Sequence, residues 1–185
     1  FKASFKPMFR GNVKTYLFAW LSPACFTLLG AVLYYLLFPR QFDAGLTSFA
    51  QSVPGGTEVD PTIAILGIAS SIFGAPLLNC LFGLGEEIGW RGFLYPSMRE
   101  QMSERKAVLL SGVIWGLLHA PITAMGHNYG FDSWGYPWLC ILSMCVFCVS
   151  LGILLSWMTT KSTSLWPAVL AHGAGTPVAG IPRLF

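Results

Sequence analysis

Gly85-Glu86-Glu87-Ile88-Gly89-Trp90-Arg91-Gly92-Phe93-Leu94-Tyr95-Pro96 closes a long apolar run with two adjacent carboxylates. The chain carries only eight acidic residues among 185, so two side by side at that depth need a reason. Ionisable groups inside a bilayer are expensive, and an intramembrane carboxylate is by default a mark of function. On a helix, Glu87 and Arg91 stand four apart with the acid leading the base, the better order for an ion pair. Glu86 is turned about 100° from Glu87 and has no such partner on its own helix. Glu87 is therefore expected to be neutralised and structural, and Glu86 to be left for chemistry. The competing reading is two acids at the water-facing end of a span.

Composition sets the surroundings of that stretch. Hydrophobic residues make up 54% of the chain and charged ones 10%, with a mean hydropathy of +0.61. Soluble domains carry about 25% charged residues, so the sequence reads as an integral membrane protein. The expected fold is all-α, a polytopic membrane helix bundle with its polar site inside. The net charge of +3 belongs to membrane flanks and gives no footing for nucleic acid. The chain opens on Phe1 and closes on Arg183-Leu184-Phe185, which reads as an excerpt (1–185) of a single membrane domain. Its five cysteines, Cys25, Cys80, Cys140, Cys145 and Cys148, all lie in apolar runs. An odd number so placed argues against a disulfide framework. Cys145 and Cys148 share a helical face beside Met144, better read as small packing residues than as a soft-metal site.

Outward from the acidic pair, the chain divides into about five spans. Lys2, Lys6, Arg10 and Lys14 precede an apolar run from Tyr16 to Phe38, long enough to cross about 30 Å of hydrocarbon, with Pro23 as a candidate kink. A polar stretch with Pro54-Gly55-Gly56 as a turn signal and Asp43, Glu58 and Asp60 follows. The second run begins at Thr62 and leads into Glu86-Glu87, with Pro76 and Asn79 marking a separate or tilted first piece. Arg99, Arg105 and Lys106 lie in the next connection. The third run, Ala107 to His119, ends at Pro121. The stretch from Ile122 to Pro137 holds Gly126, Gly130 and Gly135 without Lys or Arg and reads as an external loop. There His127-Asn128-Tyr129 is read as ordinary loop polarity rather than as a lid. The fourth run, Trp138 to Met158, stops at Lys161, and the fifth passes from Ser164 through His172 toward Pro182. There is no repeat and no low-complexity tract. Eight of the eleven basic residues then fall on one side, which the positive-inside rule assigns to the cytoplasm, together with the N-terminal side.

Three polar residues reach a common depth in this arrangement. Glu86 is thirteen residues before Arg99 and His119 thirteen after Lys106, so each lies roughly 20 Å from the inner boundary. His172 is eleven residues after Lys161, roughly 16 Å in. Two chemistries use such a set. A Glu carboxylate can deprotonate water beside a neutral His while a second His stabilises an oxyanion. Alternatively, Glu and His can bind zinc and acidify its water. The zinc-protease sequence His-Glu-x-x-His is absent, which favours the first.

Glu86-Glu87-x-x-x-Arg91, then Trp115-x-x-x-His119, then a late His172 resemble the successive motifs of the CAAX prenyl protease and bacteriocin-processing family of intramembrane proteases. The likeness covers residues 81–176, the protease-like core. It implies a multi-helix intramembrane endopeptidase that cleaves a peptide or a lipidated, CAAX-type protein in a membrane, in a setting such as a bacterial plasma membrane. By motif position Glu86 and His119 would activate water and His172 would serve the oxyanion, with Glu87 and Arg91 in support. No metal is favoured; were zinc used, Glu86, His119 and His172 would hold it. Trp115 shares a face with His119 and is read as packing beside the site.

One position departs from the family pattern. Its last motif has Asn or Asp four residues after the final His, and here that residue is Thr176. A hydroxyl donates a single hydrogen bond, and Pro177 biases Thr176 away from helical geometry. The second reading is accordingly a catalytically silent relative, a bacteriocin-immunity or scaffold membrane protein. Five spans without a repeat fit a transporter poorly.

Overall fold

The computed structural model describes residues 5–47, 50 and 60–184, without the side chains at 61, 183 and 184. Lys2, Glu58 and the expected Pro54-Gly55-Gly56 turn lie outside the described residues. Those described are all-α, with no strand among them. Three stretches are long and apolar enough to cross a membrane: Val13–Leu37, Thr62–Gln101 and Trp138–Ser162.

Helix α1 (Val13–Leu37) runs through Pro23 and stops at Phe38, where Pro39 disfavours a further helical residue. The next helix starts on a built cap: the Asp60 carboxylate accepts the Thr62 amide at 2.8 Å, with Pro61 in the first turn. Those Thr62 bonds hold the Asp60 carboxyl below its usual range.

From there α2 (Pro61–Ala69), α3 (Ala75–Glu87) and α4 (Tyr95–Gln101) are joined by two π-helical segments, Ser70–Gly74 and Ile88–Leu94. The expected break at Pro76 is thus absent. Each π segment runs up to a proline in the following turn, Pro76 or Pro96. A proline has no amide proton and its ring crowds the carbonyl four residues back; a wider turn accommodates both without ending the helix. The carbonyl that Pro76 leaves without its helical donor is that of Ile72. Trp20 from α1 supplies the missing donor, its indole reaching Ile72 O at 2.8 Å.

The third and fifth expected spans are helical but short. Helix α5 (Glu104–Leu118) has 15 residues and α8 (Trp166–Val178) has 13, against about 20 for a full crossing. Helix α5 is cut at His119 because Pro121 cannot continue its hydrogen-bond ladder; the chain adds one more turn, α6 (Ala120–Thr123). In the loop that follows, Gly126, Gly130 and Gly135 all adopt positive φ, between 71° and 86°, as only glycine does readily. Helix α7 is Trp138–Ser162.

Two compact units result. One comprises Glu86–Ala168 with the N-terminal residues to Met8, the other Phe9–Gly85 with Val169–Phe185. In the first, α5 and α7 approach to backbone contact. A Cβ at Gly112 would lie 2.6 Å from Val149 Cα, and one at Gly116 would lie 2.4 Å from Cys145 Cα. This Gly-x-x-x-Gly spacing is the small-residue helix contact that membranes favour, and it went unnoticed in the sequence. Cys145 is part of this packing, and Cys148 is buried, its Sγ 3.8 Å from Met144 Sδ on its own helix. Gly116→Ala should therefore destabilise the fold by about 1–3 kcal/mol, since a helix backbone cannot yield as a side chain can. Gly30→Ala, where a Cβ meets nothing within 4 Å, should be neutral or slightly stabilising. Unfolding of the two variants in detergent micelles measures the contrast.

The second unit is closed by α1, α8 and the apolar part of α2–α3. Ala24, Val178 and Ile181 form a core with Ile68 and Ile72, and Tyr35 donates to Pro182 O at 2.6 Å. Here too glycines set the approach: a Cβ at Gly173 would lie 2.8 Å from Cys80 N.

Candidate active site

Glu86 and Glu87 are the last two residues of α3, and the π segment Ile88–Leu94 begins immediately after them. The 100° step between the two carboxylates therefore holds, and they take different surroundings. Glu87 is fully buried and Arg91 is 3% exposed. Arg91 Nη1 reaches Glu87 Oε1 at 2.8 Å, the pair expected from their spacing. The guanidinium also lies over the Trp115 ring, 4.6 Å from its centroid, and against Gly152, where a Cβ would be 3.3 Å from Nη2. A buried charge needs this much company to be tolerable.

Glu86 is exposed, and its hydrogen-bond donors are neutral indoles rather than a basic side chain. Trp115 Nε1 donates to Glu86 Oε2 at 2.9 Å, and Trp90 Nε1 points at the same oxygen from 3.4 Å. The two indoles lie 5.9 Å apart, centroid to centroid. Trp115 thus does more than pack. It joins the buried ion pair on one side to the exposed carboxylate on the other.

The same residue orients His119. Its Nδ1 lies 2.9 Å from the Trp115 carbonyl. A carbonyl oxygen can only accept, so Nδ1 carries a proton and, in the neutral imidazole, Nε2 is the basic nitrogen. The Trp115 and His119 rings meet edge to face at 6.2 Å. His119 stands where α5 ends, so its side chain is set by the last turn of that helix. Glu86, Glu87, Arg91, Trp115 and His119 thus gather in one unit around a single tryptophan.

His172 and Thr176 belong to the other unit, on α8. His172 is half-buried, and its Cβ lies 3.5 Å from where a Gly83 Cβ would stand. Thr176 is helical despite Pro177, because α8 continues to Val178. The proline rule for the preceding residue is a bias, and here the helix overrides it. The Thr176 hydroxyl turns back to the His172 carbonyl at 3.4 Å, a common resting place for a helical threonine.

Within either unit, no three His, Cys, Asp or Glu side chains among the described residues come together as a set able to hold a metal ion. The first unit offers a carboxylate and an imidazole, which do not by themselves make a zinc site.

Trp90 escaped the sequence reading, although its position four residues after Glu86 was visible. The donor role of Trp115 was not visible, since it depends on how α5 lies against α3's end. Trp115→Phe should keep the stacking on Arg91 while removing the donor to Glu86. Glu86 is exposed, so water can replace the lost donor at little cost in stability, but the carboxylate is no longer held in one orientation, and turnover, where it depends on Glu86, should fall about tenfold or more. Thermal stability should stay near the parent's, which a melting curve on the same sample checks.

Comparison with known proteins bears on residues 65–176, which match the sequence model of the type II CAAX prenyl endopeptidase Rce1-like family. A curated protein named CAAX prenyl protease 2, from Methanococcus maripaludis, is 28% identical over 141 residues, covering 75% of this chain and 51% of the relative. The chain therefore spans about half the length of that relative. No solved structure matches it.

Proposed function

Given that the chain belongs to the Rce1-like type II CAAX prenyl endopeptidase family, we propose that it is an intramembrane endopeptidase acting on a peptide or a lipidated, CAAX-type protein. Water is the nucleophile. Glu86 takes its proton as the oxygen attacks the scissile carbonyl; that proton passes to His119 Nε2, the free base of the neutral ring, and from there to the leaving amine. His172 stabilises the oxyanion; its place in this site follows from the motif order and from its depth counted along the sequence. Glu87 and Arg91 carry structure, and Trp115 positions the carboxylate and the imidazole at once. The observation that carries the reading is that one residue, Trp115, donates to Glu86 and accepts from His119. No tightly held metal takes part in this scheme, and the distribution of basic residues favours a cytoplasmic N-terminal side.

The second reading, a catalytically silent membrane scaffold or immunity protein, is favoured by Thr176, whose hydroxyl is turned to its own helix. One assay separates the two. The purified protein in lipid nanodiscs is given a farnesylated CAAX-type peptide and its unlipidated counterpart, and products are followed by mass spectrometry. Cleavage that survives chelation, with no stoichiometric zinc in the sample, supports the glutamate mechanism. Cleavage lost on stripping and regained with zinc overturns the metal-free scheme. A parent protein that cleaves neither peptide, with a Thr176→Asn variant that does, marks the natural chain as silent through that one residue.

A further inference from the structure

Away from Glu86, the first unit contains a cleft of about 540 Å³ between the start of α5 and the end of α7. Its walls are Val108 and Leu109 on one side and Ile153 and Trp157 on the other, and Arg105 and Lys161 line it too. Arg105 is the second residue of α5 and Lys161 the last but one of α7. The two helices run antiparallel, so both cations fall at the same end. The apolar walls continue from there for about one turn along α5 and two along α7, roughly 6 and 12 Å.

The charges at this end are arranged for an anion. Glu104, the acid in the cleft, receives the Tyr95 hydroxyl at 3.0 Å and Arg99 at 3.3 Å, so its charge is already matched. Lys161 Nζ is held over the Trp157 ring, 4.7 Å from the centroid. That contact leaves ammonium protons for another acceptor. Helix α7 is one of the stretches able to cross a membrane, so its Lys161 end is where the chain leaves the hydrocarbon. A pocket there, with two cations in its lining at one end and apolar walls beyond them, matches a phosphate carrying acyl chains.

We infer that this cleft binds an anionic glycerophospholipid, with its phosphate between Arg105 and Lys161 and the first part of an acyl chain along Val108, Ile153 and Trp157. A zwitterionic lipid suits it less, because its own ammonium would meet two cations. The site is separate from the Glu86 cluster and does not depend on the proposed protease activity.

Fluorescence quenching tests it on the whole protein in nanodiscs. Phosphatidylglycerol or phosphatidylcholine with brominated acyl chains is titrated in, and the quenching that Trp157→Phe removes is taken as the cleft's signal. Brominated phosphatidylglycerol should produce it at about a tenfold lower mole fraction than brominated phosphatidylcholine. Arg105→Gln with Lys161→Gln should abolish that preference. Lys106→Gln, next to the cleft but not lining it, should keep it. Equal quenching by the two lipids in the parent, or an unchanged preference in the double variant, would overturn the inference. So would displacement of the signal by water-soluble glycerol phosphate alone, since that would make it a phosphate site without a lipid.

Discussion

Replacing Glu86 by Gln is expected to abolish peptide cleavage while leaving the protein folded. The amide has the shape of the carboxylate and can still accept from Trp115 Nε1, now 2.9 Å from Glu86 Oε2, so the surroundings need not rearrange. It cannot take a proton from water, and general-base catalysis of this kind contributes about 10²–10⁴-fold. Turnover on a prenylated peptide should fall by that factor or to background, with an unchanged melting curve. A variant cleaving at the parent rate would remove Glu86 from the chemistry. His119→Gln is the companion case, since it takes away the basic nitrogen.

Glu87→Gln, one residue along, should do the reverse. The 2.8 Å contact to Arg91 neutralises a guanidinium that is 3% exposed and has α7's Gly152 against it. Removing one partner of a buried ion pair costs about 3–5 kcal/mol, because the other charge is left stranded. The expected result is a marked loss of yield and thermal stability, measured in the same detergent for both variants. Leu in place of both Glu87 and Arg91 should be less damaging than Glu87→Gln alone, since no charge is then left buried. If Glu87→Gln melted with the parent, Arg91 would have other compensation and the division of labour between the two carboxylates would be wrong.

The different surroundings of the two carboxylates, Glu87 buried on Arg91 and Glu86 exposed, were legible in the sequence because they depend on spacing within one helix. The rule that puts Glu87 four before Arg91 survives even though the chain turns π-helical in between. The all-α membrane character was legible as well, since 54% hydrophobic and 10% charged residues leave little else. The π segments were not, because apolar periodicity does not distinguish a wide turn from an ordinary one over five to seven residues. Pro76 was visible, but it read as a break rather than as the cause of a wider turn. The end of α5 at His119 was read correctly from Pro121, whereas the fifth run was carried toward Pro182, past Val178 where α8 stops.

Contacts between helices were the other blind spot. Trp115 is 29 residues from Glu86, and nothing in its own segment says which way the indole points. Gly112 and Gly116 carried a readable small-residue spacing, yet their partners Val149 and Cys145 follow only from the register of α5 against α7. Thr176 shows the opposite error. A local bias from Pro177 was allowed to outweigh a helix held by its packing at Gly173.

On motif order and depth along the sequence, we propose that Glu86, His119 and His172 serve one reaction centre. An experimental structure of the protein in a lipid nanodisc tests it most directly. The claim predicts both imidazoles within about two hydrogen-bond lengths of the Glu86 carboxylate, each length being about 3 Å, with Glu87 still on Arg91. A carboxylate farther than that from both His119 and His172 would contradict it.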